Sequence, residues 1–279
     1  MANKLVRKVG QLIQVNKKKI YQASQADQHP KSILLIVGCQ RSGTTIMQEV
    51  FDQDMNTRVF GEFSELSSND MAYGIRLNPL DLVEQEFAKV NAPFIVSKPL
   101  VESSRTLELL DYFKGSRALW MFRNYRDVTL SNIKHFGLDN GIDDLRGIFN
   151  NEPGNWRAEG LSDSTREMVA KYFSEEMNPY DAAVLFWITR NSLFFDLGLD
   201  QHPDVLMCNY NDLVTQPERF LRYLYQQAGQ VFPAGDITAA VHANSLEKGA
   251  SLDLSPEVEQ LAQAMMDRLV ASYRLKTRF

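Results

Sequence analysis

The sequence predicts an α/β fold: a parallel sheet of about five strands with helices on both faces. Three observations lead there. Five short apolar runs, ILLIV (33–37), TRVF (57–60), FIVSK (94–98), ALWMF (118–122) and DVLMCN (204–209), are rich in β-branched and aromatic residues. Helix-period segments separate most of them, as the crossovers of a parallel sheet require. Most of the runs are apolar throughout, the pattern of strands covered on both faces. At 279 residues and 44% hydrophobic content the chain suits one large α/β domain, with two small ones the alternative.

Taken in order, residues 1–31 carry seven Lys/Arg against Asp27 alone, a net +6 that leaves −11 on the remainder. That balance argues against a nucleic-acid-binding body. Leu5, Val9, Leu12 and Ile13 fall at roughly helical spacing among the basic residues. They predict either a solvated or docked helix or a weak peripheral contact with an anionic membrane surface. The first strand runs into Gly38 and a small polar turn, after which Ile46, Met47, Val50 and Phe51 take helical spacing. The second strand ends at Gly61-Glu62, the third is stopped by Pro99, and the fourth by Arg123. Helices are expected over 103–113 and from Asp127 to His135.

Residues 137–180 differ: they are rich in Gly, Asn, Asp and Glu, with Pro153 and Pro179 and weak periodicity. They read as an excursion over the acceptor side of a site, part loop and part helix. The domain reading is therefore a basic segment, 1–31, and one domain, 32–279. A helix is predicted from Pro179 to Leu197, and the fifth strand leads into Tyr210. Thr215-Gln216-Pro217-Glu218 has the form of a capping box with Pro at N1, and Gly229 suits the C′ position. The last helix is expected from Ser255-Pro256 to about Ser272, after an irregular stretch over 244–251.

Cys39 and Cys208 lie in strand-like surroundings and predict two buried thiols rather than a disulfide. Four scattered histidines and no ligand-spaced pair predict no metal site. No apolar run approaches the ~18–20 residues that span a bilayer. The N-terminus has no signal-peptide h-region, so a cytoplasmic location, with the peripheral contact open, is the expectation.

The chemistry centres on GCQRSGTT (38–45). A strand, tight turn and helix aim consecutive N–H groups and a helix N-terminus at one anion. The spacing of Gly38 and Gly43, and Thr45 after them, match the nucleoside-triphosphate loop G-x-x-x-x-G-K-[ST]. Thr44 stands where that loop has its lysine, and a cation, Arg41, sits inside the loop instead. No strand-end Asp is placed to hold Mg²⁺; the candidate ends lead into Lys98 and Arg123. A metal-dependent kinase is thereby the weaker reading, and a non-catalytic nucleotide-binding module is a third. Ligands of such sheets lie beyond the C-terminal strand ends, where Arg41, Glu62, Lys98 and Arg123 all fall.

GCQRSGTT resembles the 5′-phosphosulfate loop of sulfotransferases that use 3′-phosphoadenosine 5′-phosphosulfate (PAPS). ALWMFRNYRDVTLSNIKHF resembles their second signature, a strand ending in Arg with a helical Ser eight residues later, here Arg123 and Ser131. VLMCNYNDLVTQPERFLRYL (205–224) and Glu247-Lys248-Gly249 are similar to later family segments. The resemblance implies PAPS as donor co-substrate, with no metal. It implies that Arg41, Ser42, Gly43, Thr44 and Thr45 hold the phosphosulfate and that Arg123 and Ser131 hold the 3′-phosphate. Tyr210, Lys248 and Gly249 are implied as further donor contacts. Lys98 takes the family's third-strand lysine role at the leaving oxygen, with Arg41 beside it. The His base of the cytosolic branch is missing, because Lys98 is followed by Pro99-Leu100. GEFSEL (61–66) is similar to the Gly-Glu segment of the carbohydrate and protein-tyrosine branches, which makes Glu62 the expected base and Glu65 its reserve. The implied reaction moves a sulfuryl group to a hydroxyl or amine of a glycan, glycolipid or small metabolite. His135 is expected to be structural. Trp156 is expected to be a core residue first, and the foremost candidate for an exception because its polar stretch should face the acceptor.

Overall fold

The computed structural model describes residues 17, 18, 20–23, 31–70, 74–239 and 241–277. Its strands are β1 (Ser32–Gly38), β2 (Thr57–Phe60), β3 (Ser67–Asp70), β4 (Gly74–Leu77), β5 (Phe94–Ser97), β6 (Arg117–Phe122) and β7 (Val205–Asn209). Five of them form one parallel sheet in the order β2–β5–β1–β6–β7, and β3 and β4 pair separately as an antiparallel hairpin. β1 pairs with β5 through Ser32–Leu35 and with β6 through Leu34–Gly38. The last five residues of β1 and of β6, and all four of β5, are buried. Successive side chains point to opposite faces, so burial of every residue means that both faces are covered.

From β1 the chain moves to one side for β2 and β5, then crosses β1 to lay down β6 and β7 on the other. The direction of winding changes at β1, and the crevice beyond its C-terminal end is where such sheets bind ligands. The loops after β1 and β6 face each other across that crevice.

The helices are α1 (Thr44–Gln53), α2 (Leu80–Ala88), α3 (Thr106–Tyr112), α4 (Tyr125–Phe136), α5 (Asn140–Phe149), α6 (Asp163–Tyr172), α7 (Pro179–Asp196), α8 (Tyr210–Thr215), α9 (Pro217–Gln227) and α10 (Pro256–Lys276). A 3₁₀ segment over Leu100–Arg105 precedes α3. α7 is buried continuously from Asp181 to Phe194 because α4, α5 and α10 pack around it. It is a central helix with no solvent stripe.

Three details depart from the sequence reading. The hairpin β3–β4 and helix α2 went unpredicted: Ser67-Ser68-Asn69-Asp70 has no apolar alternation to announce a strand. The capping box is not made, since Gln216, not Thr215, is the N-cap of α9 and gives it no side-chain bond. Thr215 ends α8 instead, donating its hydroxyl to the Asn211 carbonyl at 2.7 Å. Gly229 does take the left-handed conformation after α9, with φ 68°.

Leu5, Val9, Leu12 and Ile13 lie outside the described residues. Farther along, Lys18 donates to the Asp52 carbonyl at 2.7 Å and pairs with its carboxylate at 3.1 Å. Gln22 donates to the carbonyls of Met55 and Thr57 at 3.0 and 3.1 Å. These bonds fasten Lys18 and Gln22 to the end of α1 and the turn into β2. Among the described residues no helix is long and apolar enough to cross a membrane.

Candidate active site

The loop after β1 is fixed from below. The Gly38 N–H donates to Ser103 Oγ at 2.9 Å, and that hydroxyl bonds the carbonyls of Gly38 and Leu100 at 3.2 and 2.7 Å. Arg41 has φ 63°, one of three positive values at non-glycine positions among the described residues. Such a backbone costs about 1 kcal/mol or more and marks functional loops. Gly43, φ 91°, is the N-cap of α1, and no side chain caps the helix. Its first N–H groups are therefore left for a ligand. A Cβ on Gly43 would lie 2.4 Å from the Tyr210 ring, so only glycine lets the loop rest on that ring.

Side chains from four strand ends meet above this loop. Lys98, after β5 and only 5% exposed, pairs through Nζ with Glu62 Oε2 at 3.2 Å and reaches Thr45 Oγ1 at 3.4 Å. Glu62 follows β2. Arg41 donates from Nε to Ser131 Oγ on α4 at 3.1 Å, which joins the phosphate loop to the second motif. Burial, then repulsion by Arg123, lowers the Arg41 pKa, with Glu62 opposing.

Arg123, after β6, is buried beneath the loop over 245–249. Its guanidinium lies 4.2 Å over the Tyr210 ring, pairs with Asp127 at 3.3 Å and donates to the Ser245 carbonyl. The Tyr210 hydroxyl bonds that of Ser245. Asp127 accepts the N–H groups of Glu247 and Gly249 at 3.1 and 3.0 Å. Sequence reasoning missed Asp127, although an acid in the first turn of the helix after Arg123 was the available signal.

Two donors fit an anionic ligand at the two ends of this crevice. Ser42 Oγ and Arg123 Nε are two of the ten buried side-chain polar atoms without a hydrogen-bond partner among the described residues, and both belong to this crevice's anion-binding elements. Unsatisfied buried polar groups in native structures are few and call for an explanation. A phosphosulfate on the loop and a phosphate beside Arg123 are ligands of the right charge.

Other candidates fall elsewhere. Glu65 pairs with Arg58 at 2.6 Å rather than with Lys98. His135 is exposed and packs edge-on against Phe136. Lys248 is exposed on its loop, while the Gly249 N–H is committed to Asp127. Trp156 is buried with Arg157 and Arg190 at 4.5 and 4.9 Å from its ring, so it is not an open platform. Arg157 pairs with buried Asp144, whose pKa burial pushes up against the pull of Arg157 and Asn140. Burial likewise lowers Arg190 to about 10. Both cysteines are free and buried, and burial raises Cys39 to about 12. Among the described residues no group of three His, Cys, Asp or Glu is gathered as a metal site.

Residues 31–263 match the family described as the sulfotransferase domain, and the chain belongs to that family. Among solved structures it resembles the sulfotransferase domain from the curacin biosynthetic pathway, at 17% identity and TM-score 0.55, over 87% of this chain and 99% of that one. It also resembles a sulfotransferase from Alicyclobacillus acidocaldarius, at 15% identity and TM-score 0.50, over 89% and 95%. At these identities the likeness is one of fold. A comparison with curated protein sequences gives no match.

Proposed function

We propose that this protein is a PAPS-dependent sulfotransferase that acts on a hydroxyl or amine of a glycan, glycolipid or small metabolite, with Glu62 as general base. The observation that carries it is Lys98, whose ammonium group touches both the Glu62 carboxylate and the Thr45 hydroxyl of the phosphate loop. A base and a cation at one point on an anion-binding loop are what in-line sulfuryl transfer needs.

In this reading PAPS lies across the crevice, its sulfate end on residues 41–45 and its 3′-phosphate beside Arg123 and Ser131. The acceptor oxygen or nitrogen attacks sulfur and passes its proton to Glu62. The bond from sulfur to the 5′-phosphate oxygen breaks, and Lys98 and Arg41 stabilise the charge left on that oxygen. Residues 32–279 act as one domain, with 137–180 on the acceptor side.

The donor can be tested without knowing the acceptor. Calorimetric titration should show PAP, the desulfated product, binding more tightly than ADP and ATP with no need for Mg²⁺. A preference for ATP would overturn the reading in favour of a kinase.

A further inference from the structure

We infer that Asp127 is the positioning residue of the 3′-phosphate pocket: it latches the loop over 245–249 across Arg123 and so sets discrimination for a 3′-phosphorylated nucleotide. This rests on the donor reading above.

Asp127 lies in the first turn of α4 and is 4% exposed. A carboxylate beside a bound phosphate would repel it, unless its charge were already committed. Here it is. One oxygen accepts the Gly249 N–H at 3.0 Å, and the other accepts the Glu247 N–H at 3.1 Å and pairs with Arg123 at 3.3 Å. Charge-assisted bonds of this kind are roughly twice as strong as neutral ones.

The loop is shaped to make these bonds. Glu247 adopts φ 58°, a strained backbone for a non-glycine residue, at the point where its N–H meets Asp127. Gly249 is buried so closely that a Cβ would lie 2.2 Å from the Arg126 carbonyl oxygen. Arg126 adds a second tie, donating to the Leu252 carbonyl at 2.8 Å. With the loop held down, the Ser245 carbonyl bonds Arg123 and the Ser245 hydroxyl bonds Tyr210. Arg123 is thereby gripped by Asp127, Ser245 and the Tyr210 face, while its buried Nε keeps no partner. A guanidinium oriented in advance loses little freedom when a phosphate arrives.

The contacts of Asp127 with Arg123 and the late loop concern the 3′ end of the nucleotide, not the 5′ loop. Its removal should weaken recognition of the 3′-phosphate and leave the rest of the nucleotide alone. The test is calorimetry with PAP and ADP on wild type, Asp127→Asn and Asp127→Ala. The PAP-over-ADP ratio should fall about tenfold in the alanine variant, with ADP affinity within about twofold of wild type. Equal ratios in folded wild type and variants would overturn the inference. If neither variant folds, amide exchange on the wild type decides. The Glu247 and Gly249 amides should be protected without ligand, and rapid exchange at both would overturn the latch. A wild type that binds PAP and ADP alike fails the donor reading instead, and the same two amides then still test the latch on their own.

Discussion

The crevice proposed to hold the donor and the region flanking Glu62 are built by different means. The crevice takes its side chains from short local motifs at the ends of neighbouring parallel strands. Long-range bonds such as Arg41 to Ser131 and Asp127 to Gly249 then join those motifs. Arg41, Lys98 and Arg123 arrive there because β1, β5 and β6 are adjacent. The flanking region is held by long-range ion pairs around Arg76 on β4. That guanidinium bonds both oxygens of buried Glu102 at 2.9 and 3.1 Å and both oxygens of Glu159 at 3.0 Å. It also donates to the Gly154 carbonyl at 3.1 Å. One arginine thus ties the hairpin that follows Glu62, the segment that follows Lys98 and the stretch over 154–159. Phosphate recognition needs a fixed backbone geometry, which short motifs supply. The second region needs only to be held, which many pairings can do.

The largest expected effect separates chemistry from binding within this arrangement. Glu62→Gln should leave PAP affinity within about twofold and lower turnover by about 10²–10⁴. Steady-state kinetics beside calorimetry measures both. Wild-type turnover in the variant would remove Glu62 as the base and leave the Lys98 pair a structural one.

Next comes the tie in the second region. Arg76→Met leaves Glu102 buried without its main partner and should destabilise the fold by about 3 kcal/mol. Denaturant unfolding gives that loss, and PAP affinity of the folded variant should stay near wild type. A large fall in PAP affinity would mean that the two regions are coupled rather than separate.

A smaller effect is expected at the 3′ end of the crevice. Arg123→Ala should weaken PAP by roughly 30-fold or more while leaving ADP nearly unchanged. Parallel titrations check it, and an equal loss for both nucleotides would move Arg123 from phosphate recognition to general support of the loop.

The contrast also accounts for what the sequence made legible. β1, the turn at Gly38–Thr45, Arg123 and Ser131 are read directly, since each motif sits on one strand end and its spacing is set by backbone geometry. Tyr210 is visible as a strand-end aromatic, but its place under Gly43 and Arg123 is a tertiary fact. The pairing of Asp127 with Glu247 and Gly249 joins positions about 120 residues apart. No local pattern announces such a bond. Thr215 misled because two short helices abut at Gln216, so the hydroxyl closed the first instead of capping the second. Trp156 takes its core reading and not the acceptor-facing exception, because Arg157 and a buried arginine, Arg190, supplied by α7, lie against its ring.

The smallest effect is a change in pH dependence. Burial pushes the Glu102 carboxyl up, but the Arg76 side chain, the Leu77 N–H and the charges of Arg76 and Arg105 outweigh it, and its pKa lies below the ordinary 4.5. A depressed carboxyl stabilises the fold above its unfolded pKa and loses that contribution as pH falls through the folded one. In Arg76→Met, burial is opposed only by the Leu77 N–H and Arg105, so the folded pKa rises. The gap in stability between wild type and variant should therefore be widest near neutral pH and narrow as the solution is acidified below the carboxylate range. Urea unfolding of both proteins from pH 7 downward measures it. A gap that stays constant would mean that Arg76 acts by packing alone and that Glu102 does not depend on its charge.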